Sequence, residues 1–202
     1  YAQYALKDKE NGQFAMQLLT DAYKAKGDTA KWVEKLQEGI VKFPENQYFF
    51  ANLVDYYSSS NQNDKAMQFA NDMLAKDPNN KLYLYVKAYL YHNMKDYEKA
   101  IEFYKKTLDV DPTYAEACSN LGLVYLLQAQ DYADKAPTDI NDPNYATAQA
   151  NIKKFYEEAK PYYEKARELK PDQKDLWLQG LYRVYYNLNM GPEFEAIEKL
   201  MN

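Results

Sequence analysis

Residues 81–114 read KLYLYVKAYLYHNMKDYEKAIEFYKKTLDVDPTY. Leu82, Tyr85, Val86, Tyr89 and Leu90 recur at three- and four-residue steps, the spacing of one helix face. Ile101, Tyr104, Thr107 and Leu108 do the same further on. Pro112 cannot continue a helix, so the stretch reads as two helices closed by a proline.

Outward from this stretch the pattern recurs. Pro44, Pro78 and Pro112 are 34 residues apart, and Tyr23, Tyr57, Tyr91 and Tyr125 keep the same step. Leu19, Leu53 and Leu121 share a column interrupted by Lys87; Ala66 and Ala100 share another, with Trp32 in the first copy. Small residues let the two helices of a hairpin approach closely, and tyrosine fills the space beside them. Gly27-Asp28 reads as a helix stop and then a cap for a helix from about Thr29 to Phe43. Asn61–Asp64 has the same role before a helix over Lys65–Lys76.

After Tyr114 the spacing lengthens. A first helix carries Cys118, Leu121, Gly122 and Tyr125, but its partner's features arrive late, at Ala159, Tyr163, Ala166 and Pro171. Pro112 to Pro171 is 59 residues, 25 more than one repeat of 34. Helical periodicity continues on both sides of a turn near Pro137–Pro143, with Asp142-Pro143 as cap and first-turn pair and a bend expected at Pro161. The spacing therefore predicts one elongated hairpin. A final pair is predicted over Lys174–Leu188 and Pro192–Met201, packed through Trp177, Leu181, Phe194, Ile197 and Leu200. At the other end, one repeat back from Gly39 falls on Ala5, so residues 1–10 read as the tail of a preceding second helix and the chain as the C-terminal part of a longer protein. The organisation predicted is a single array with units at 13–46, 47–80, 81–114, 115–173 and 174–202.

This pattern resembles the tetratricopeptide repeat (TPR), a helix–turn–helix unit of 34 residues, through Leu84, Ala88, Tyr91, Ala100, Tyr104 and Pro112 in the copy quoted first. The resemblance implies an all-α fold: a TPR-type α-solenoid of antiparallel hairpins in a right-handed superhelical stack, with one elongated hairpin and a C-terminal capping pair. It also implies a non-catalytic protein that works by binding. Residues 132–173, with AKPYYEKA at 159–166, and residues 181–201, with NLNM at 187–190, resemble TPR proteins of Bacteroides-type gut bacteria. That narrower resemblance implies export and a periplasmic or envelope location.

Composition excludes several other classes. A net charge of −5 argues against nucleic acid, which demands a basic face. No run of about 18 apolar residues exists, so no transmembrane helix is expected. One cysteine, Cys118, allows no intrachain disulfide, and one histidine, His92, allows no paired-histidine metal site. Cys118 falls in a first-helix core column and reads as a small buried apolar residue. No glycine-rich phosphate loop appears, and Asp131, Asp134, Asp139 and Asp142 lack the glycine and glutamate of a calcium loop. No cofactor and no metal are expected.

In a solenoid the first helices line the concave groove. The columns expected to face it are Gln17, Ala51, Tyr85 and Ser119; Asp21, Asp55, Tyr89 and Leu123; and Lys24, Ser58, His92 and Leu126, bordered by Asn52 and Asn120. Ligand contacts are expected at Gln17, Asp21, Asn52, Asp55, Tyr85, Tyr89, His92 and Asn120. The lysine pair that some TPR proteins use to clamp a chaperone's terminal carboxylate is absent, and Asp21 and Asp55 would repel an anion. The function expected is a scaffold binding a peptide or partner segment in the groove. The alternative is an envelope glycan- or nutrient-binding protein using the tyrosine stripe; an enzyme has only Cys118 and His92 to offer as single-residue candidates.

Overall fold

The computed structural model describes residues 9–44 and 46–201, with side chains from residue 12 onward. Among the described residues there are ten α-helices, one 3-10 turn and no strand. In chain order they are α1 (Lys9–Ala25), α2 (Thr29–Lys42), α3 (Gln47–Ser59), α4 (Asn63–Lys76), α5 (Lys81–Asn93), α6 (Tyr97–Val110), α7 (Ala115–Ala133), α8 (Tyr145–Leu169), the turn Lys174–Leu176, α9 (Leu178–Asn187) and α10 (Gly191–Glu198).

The turn inside each regular hairpin is built in one way. Gly27, Asn61 and Lys95, spaced by 34, all sit in the left-handed region, at φ of 70°, 57° and 60°. In each case the next residue's N–H reaches back to the tyrosine column: Asp28 to Tyr23 O at 3.1 Å, Gln62 to Tyr57 O at 2.7 Å and Asp96 to Tyr91 O at 2.9 Å. These six-to-one bonds close the first helix and satisfy carbonyls that would otherwise be orphaned. Asn189 repeats the device at φ 55°, with Met190 N–H bonded to Tyr185 O at 2.9 Å. Asp28 and Asp96 then cap the following helix by accepting from Lys31 N–H and Lys99 N–H.

The chain divides after Pro78 into two compact units. In the first, α1–α4 pack in sequence around Met16, Leu36, Ile40, Phe49, Phe50 and Leu53. Gly39 lets α2 approach α3: a Cβ there would lie 2.3 Å from the Phe49 ring. In the second unit α5–α10 share one core through Tyr104, Cys118, Leu121, Leu126, Tyr163, Leu181 and Ile197. Tyr163 of α8 is wedged between Gly122 of α7 and Gly180 of α9, where a Cβ would stand 2.7 Å and 2.2 Å from its ring.

The elongated hairpin is present as α7 and α8, joined around Pro137–Pro143. Several expectations need correction. Asp142 is not the helix cap: α8 starts at Tyr145, and Asp142 instead closes a turn by accepting from Asn144 N–H at 2.7 Å. At Pro161, where a bend and not a break is expected, α8 continues from Tyr145 to Leu169. The second hairpin's return helix begins at Asn63 rather than Lys65, because the left-handed residue is Asn61 and only Gln62 intervenes. In the last pair the first predicted helix breaks into a 3-10 turn and α9, with Trp177 between them donating its indole N–H to Lys170 O at 3.1 Å. The second stops at Glu198, so Leu200 is exposed rather than packed. Of the tail expected over residues 1–10, residues 1–8 lie outside the described residues, and Lys9 and Glu10 already belong to α1.

Candidate functional site

The predicted groove residues fall on first helices and divide between the two units. In the first unit most of them link α1 to α3. Gln17 Nε2 donates to Asn46 Oδ1 at 3.4 Å, the Tyr48 hydroxyl donates to Asp21, and Lys24 Nζ donates to Asn52 Oδ1 at 3.4 Å. Asn52 Nδ2 also donates to the carbonyl of Tyr48 at 2.9 Å. Burial first, and the Asp21 carboxylate second, push the Tyr48 phenol well above its ordinary range. Asp55 stands apart: it is exposed, with neither a hydrogen bond nor an ion pair among the described residues.

In the second unit Asn120 of α7 donates to the Tyr85 hydroxyl of α5 at 2.7 Å. The Tyr85 ring packs against Tyr104 and Tyr114 with centroids 5.8 and 5.0 Å away. Burial, aided by the Glu116 carboxylate, raises the Tyr85 phenol. Tyr89 and His92 lie one turn apart on α5 with ring centroids 6.3 Å apart, and both are half-buried. His92 also meets the Tyr104 ring edge-on at 6.5 Å. Its Nδ1 is buried with no hydrogen-bond partner, and desolvation lowers the pKa of the imidazole below its usual value, which keeps it neutral at pH 7. The Tyr104 hydroxyl, on a side chain that is 0% exposed, likewise has no partner.

The structure thus brings Tyr85, Tyr89, His92 and Asn120 together, while using Tyr85 and Asn120 to join successive first helices. Gln17 and Tyr85 are equivalent positions two repeats apart, as are Asn52 and Asn120. The same positions therefore carry the α1–α3 seam and the α5–α7 seam. Sequence reasoning missed this joining role. Its signal was the polar Asn52 and Asn120 in a column whose other members, Leu18 and Val86, are apolar.

A family model described as TPR repeat matches residues 88–128, and a second, tetratricopeptide repeat, matches residues 151–173. Over these two segments the chain is similar to the tetratricopeptide repeat. The solved structures agree on the fold. MamA is 16% identical, with 93% of this chain and 88% of that chain covered at a TM-score of 0.59. PilW, a widely conserved type IV pilus biogenesis factor, is 15% identical over 99% of this chain and 81% of that chain, also at 0.59. Human IFIT1, solved as a dimer with m7Gppp-AAAA, is 20% identical over 96% of this chain at 0.67, and the chain spans 41% of its length. No curated protein sequence matches the chain.

Seen as TPR positions, the repeating tyrosines serve packing. Tyr91 stacks on Phe103 at 5.6 Å and Tyr125 on Tyr162 at 6.0 Å, each pairing the two helices of one hairpin. Lysines cover several of these rings, with Lys31 over Tyr23, Lys99 over Tyr91 and Lys105 over Tyr125. No lysine or arginine covers Tyr85 or Tyr89 among the described residues. Cys118 is 2% exposed, and burial pushes its thiol up to about 11, the wrong direction for a nucleophile. Among the described residues no group of three or more His, Cys, Asp or Glu could hold a metal, and no helix is long and apolar enough to cross a membrane.

Proposed function

We propose that this protein is an interaction scaffold whose α5 face, at Tyr89 and His92, holds an extended segment of a partner protein. The TPR fold supports the scaffold reading in general. The observation that carries the finer reading is the adjacency of Tyr89 and His92. They form a half-buried aromatic pair, 6.3 Å between centroids, that among the described residues no side-chain hydrogen bond ties down and no cation covers. A ring with an apolar face and a free hydroxyl suits a peptide, which offers both side chains and amides. Tyr85, on the same helix, is tied to Asn120 of α7. The likeness of residues 132–173 and 181–201 to exported TPR proteins of Bacteroides-type bacteria supports an envelope location for the encounter.

The test is affinity capture from an envelope extract of such a bacterium, comparing the protein with its Tyr89→Ala/His92→Ala variant after both give the same helical circular dichroism spectrum. Loss of a retained partner by the variant is the expected result. Equal capture by both would remove the α5 face as the site of recognition. Tyr85 is unsuitable for this comparison, because its truncation would also break the link to Asn120.

A further inference from the structure

Lys87 interrupts a column that is leucine in the neighbouring repeats, at Leu19, Leu53 and Leu121. Leu53 and Leu121 are buried there. The four-carbon stem of a lysine can follow the path of a leucine, but its ammonium must then find a place of its own. In the third repeat it lies over the Phe103 ring of α6, with Nζ 4.5 Å from the ring centroid. A second ammonium uses the same ring, Lys106 Nζ at 4.6 Å, and Tyr91 stacks on it at 5.6 Å.

The two lysines are not equivalent. Lys106 is exposed and has its counter-charge, Glu102 Oε1 at 2.6 Å. Lys87 is half-buried, with neither a hydrogen bond nor an ion pair among the described residues. Attraction to the ring favours its charged form, while lost hydration and the Lys106 charge oppose it. The opposition wins: burial first and Lys106 second lower the pKa of Lys87, only partly countered by Glu102. Lys35, Lys99 and Lys105, each beside a hydrogen-bonding partner, shift the other way. An amine crowded by a second cation in a partly desolvated place is a better nucleophile at neutral pH than an exposed lysine. Its partial exposure leaves it open to a small electrophile.

We propose that Lys87 is a modification site, the amine of this protein that takes a small acyl group from an acyl phosphate. The Nζ lone pair attacks the acyl carbonyl carbon. A C–N bond forms as the C–O bond to phosphate breaks, phosphate leaves with the electron pair, and the nitrogen gives its surplus proton to water. The product is a neutral amide in the leucine column, which leaves the Phe103 ring to Lys106 alone. Two residues before Tyr89, Lys87 lies on the opposite side of α5, so the modification is independent of the Tyr89 and His92 face.

The test treats the whole chain with limiting acetyl phosphate at about pH 7, 8.5 and 10 and reads each lysine's initial acetylation rate by peptide mass spectrometry. Lys26, Lys76 and Lys154, all exposed, are the comparison. Lys87 should react at least about threefold faster than these at neutral pH, since the neutral fraction grows tenfold per unit of lowered pKa and weaker basicity gives part of that back. The ratio should shrink as the pH rises and the exposed lysines lose their protons too, whereas an advantage of access alone would stay constant. Lys106→Gln, a change at an exposed side chain, should cut the neutral-pH ratio by about half or more. Tyr89→Ala/His92→Ala should leave the rate at Lys87 as in the parent, separating this site from the partner-binding face. A Lys87 no faster than the comparison lysines, a ratio that does not change with pH, or no effect of Lys106→Gln would each overturn the proposal.

Discussion

The hairpin turns offer a pair of substitutions with opposite expected signs at equivalent positions. Gly27, Asn61 and Lys95 share a left-handed backbone, and Lys95 is the member least suited to it. Its side chain is exposed and has no hydrogen bond or ion pair among the described residues, so replacing it removes only the backbone conflict. An L-residue in this conformation costs about 1–2 kcal/mol, and the greater freedom of glycine in the unfolded chain offsets about 0.5–1 kcal/mol of the relief. Lys95→Gly should therefore stabilise by about 0.5–1 kcal/mol and raise Tm by roughly 1–3 °C for a chain of this size. Gly27→Ala is the mirror experiment. A Cβ at Gly27 would meet nothing within 4 Å, so any loss is conformational rather than steric. It should destabilise by about 0.5–1 kcal/mol. Urea denaturation followed by helical circular dichroism reads both, with the slope m unchanged. If both variants moved the midpoint in the same direction, or neither moved it, backbone strain would not govern these turns.

Three other outcomes are expected. Gly180→Ala would drive a methyl to within 2.2 Å of the Tyr163 ring, which is 4% exposed and backed by Gly122, so a loss of about 1–3 kcal/mol should appear in the urea midpoint. Tyr85→Phe removes the acceptor of Asn120 Nδ2 and should cost about 1 kcal/mol, whereas Tyr89→Phe should stay within about 0.5 kcal/mol of the parent; a reversed order would contradict the α5–α7 seam. Asp111 accepts from Thr113 Oγ1, from Lys81 Nζ at 2.9 Å and from Thr113 N–H, which together hold its carboxyl down at about 2. A depressed acid stabilises above its unfolded pKa near 4 and loses that contribution as the pH falls towards 2. Asp111→Asn should thus lower stability by about 1–2 kcal/mol at pH 7, with the gap to the parent closing across that window in pH-dependent denaturation.

Much of the fold could be read from spacing because it is local. The step of 34 in Pro44, Pro78 and Pro112 and in the tyrosine column marks where helices end and where rings pack. The left-handed residues at 27, 61 and 95 keep the same step, since a turn of fixed geometry recurs wherever the repeat does. The elongated hairpin was equally legible, because surplus residues with helical periodicity can only lengthen the two helices that flank the turn. What resisted reading were the helix ends without a strong cap. Asp142-Pro143 offered a cap by residue type, but the backbone there closes an Asx turn and the helix waits until Tyr145.

The candidate site divides in the same manner. Repeat position alone identified the residues that lie on first helices: Gln17, Asp21, Asn52, Asp55, Tyr85, Tyr89, His92 and Asn120. Which of them are occupied in holding the fold was a tertiary matter. Tyr85 is committed to Asn120, Tyr104 and Tyr114, and Asp21 to Tyr48, through partners 19 to 35 residues away in sequence. Tyr89, His92 and Asp55 occupy the same kinds of position without a binding partner across the seam. Periodicity specifies the face on which a side chain lies, because 3.6 residues per turn is a property of one helix. Whether that side chain meets solvent or a neighbour depends on where a second helix is placed, and that follows from packing against glycines such as Gly39, Gly122 and Gly180, at each of which a Cβ would collide with an aromatic ring.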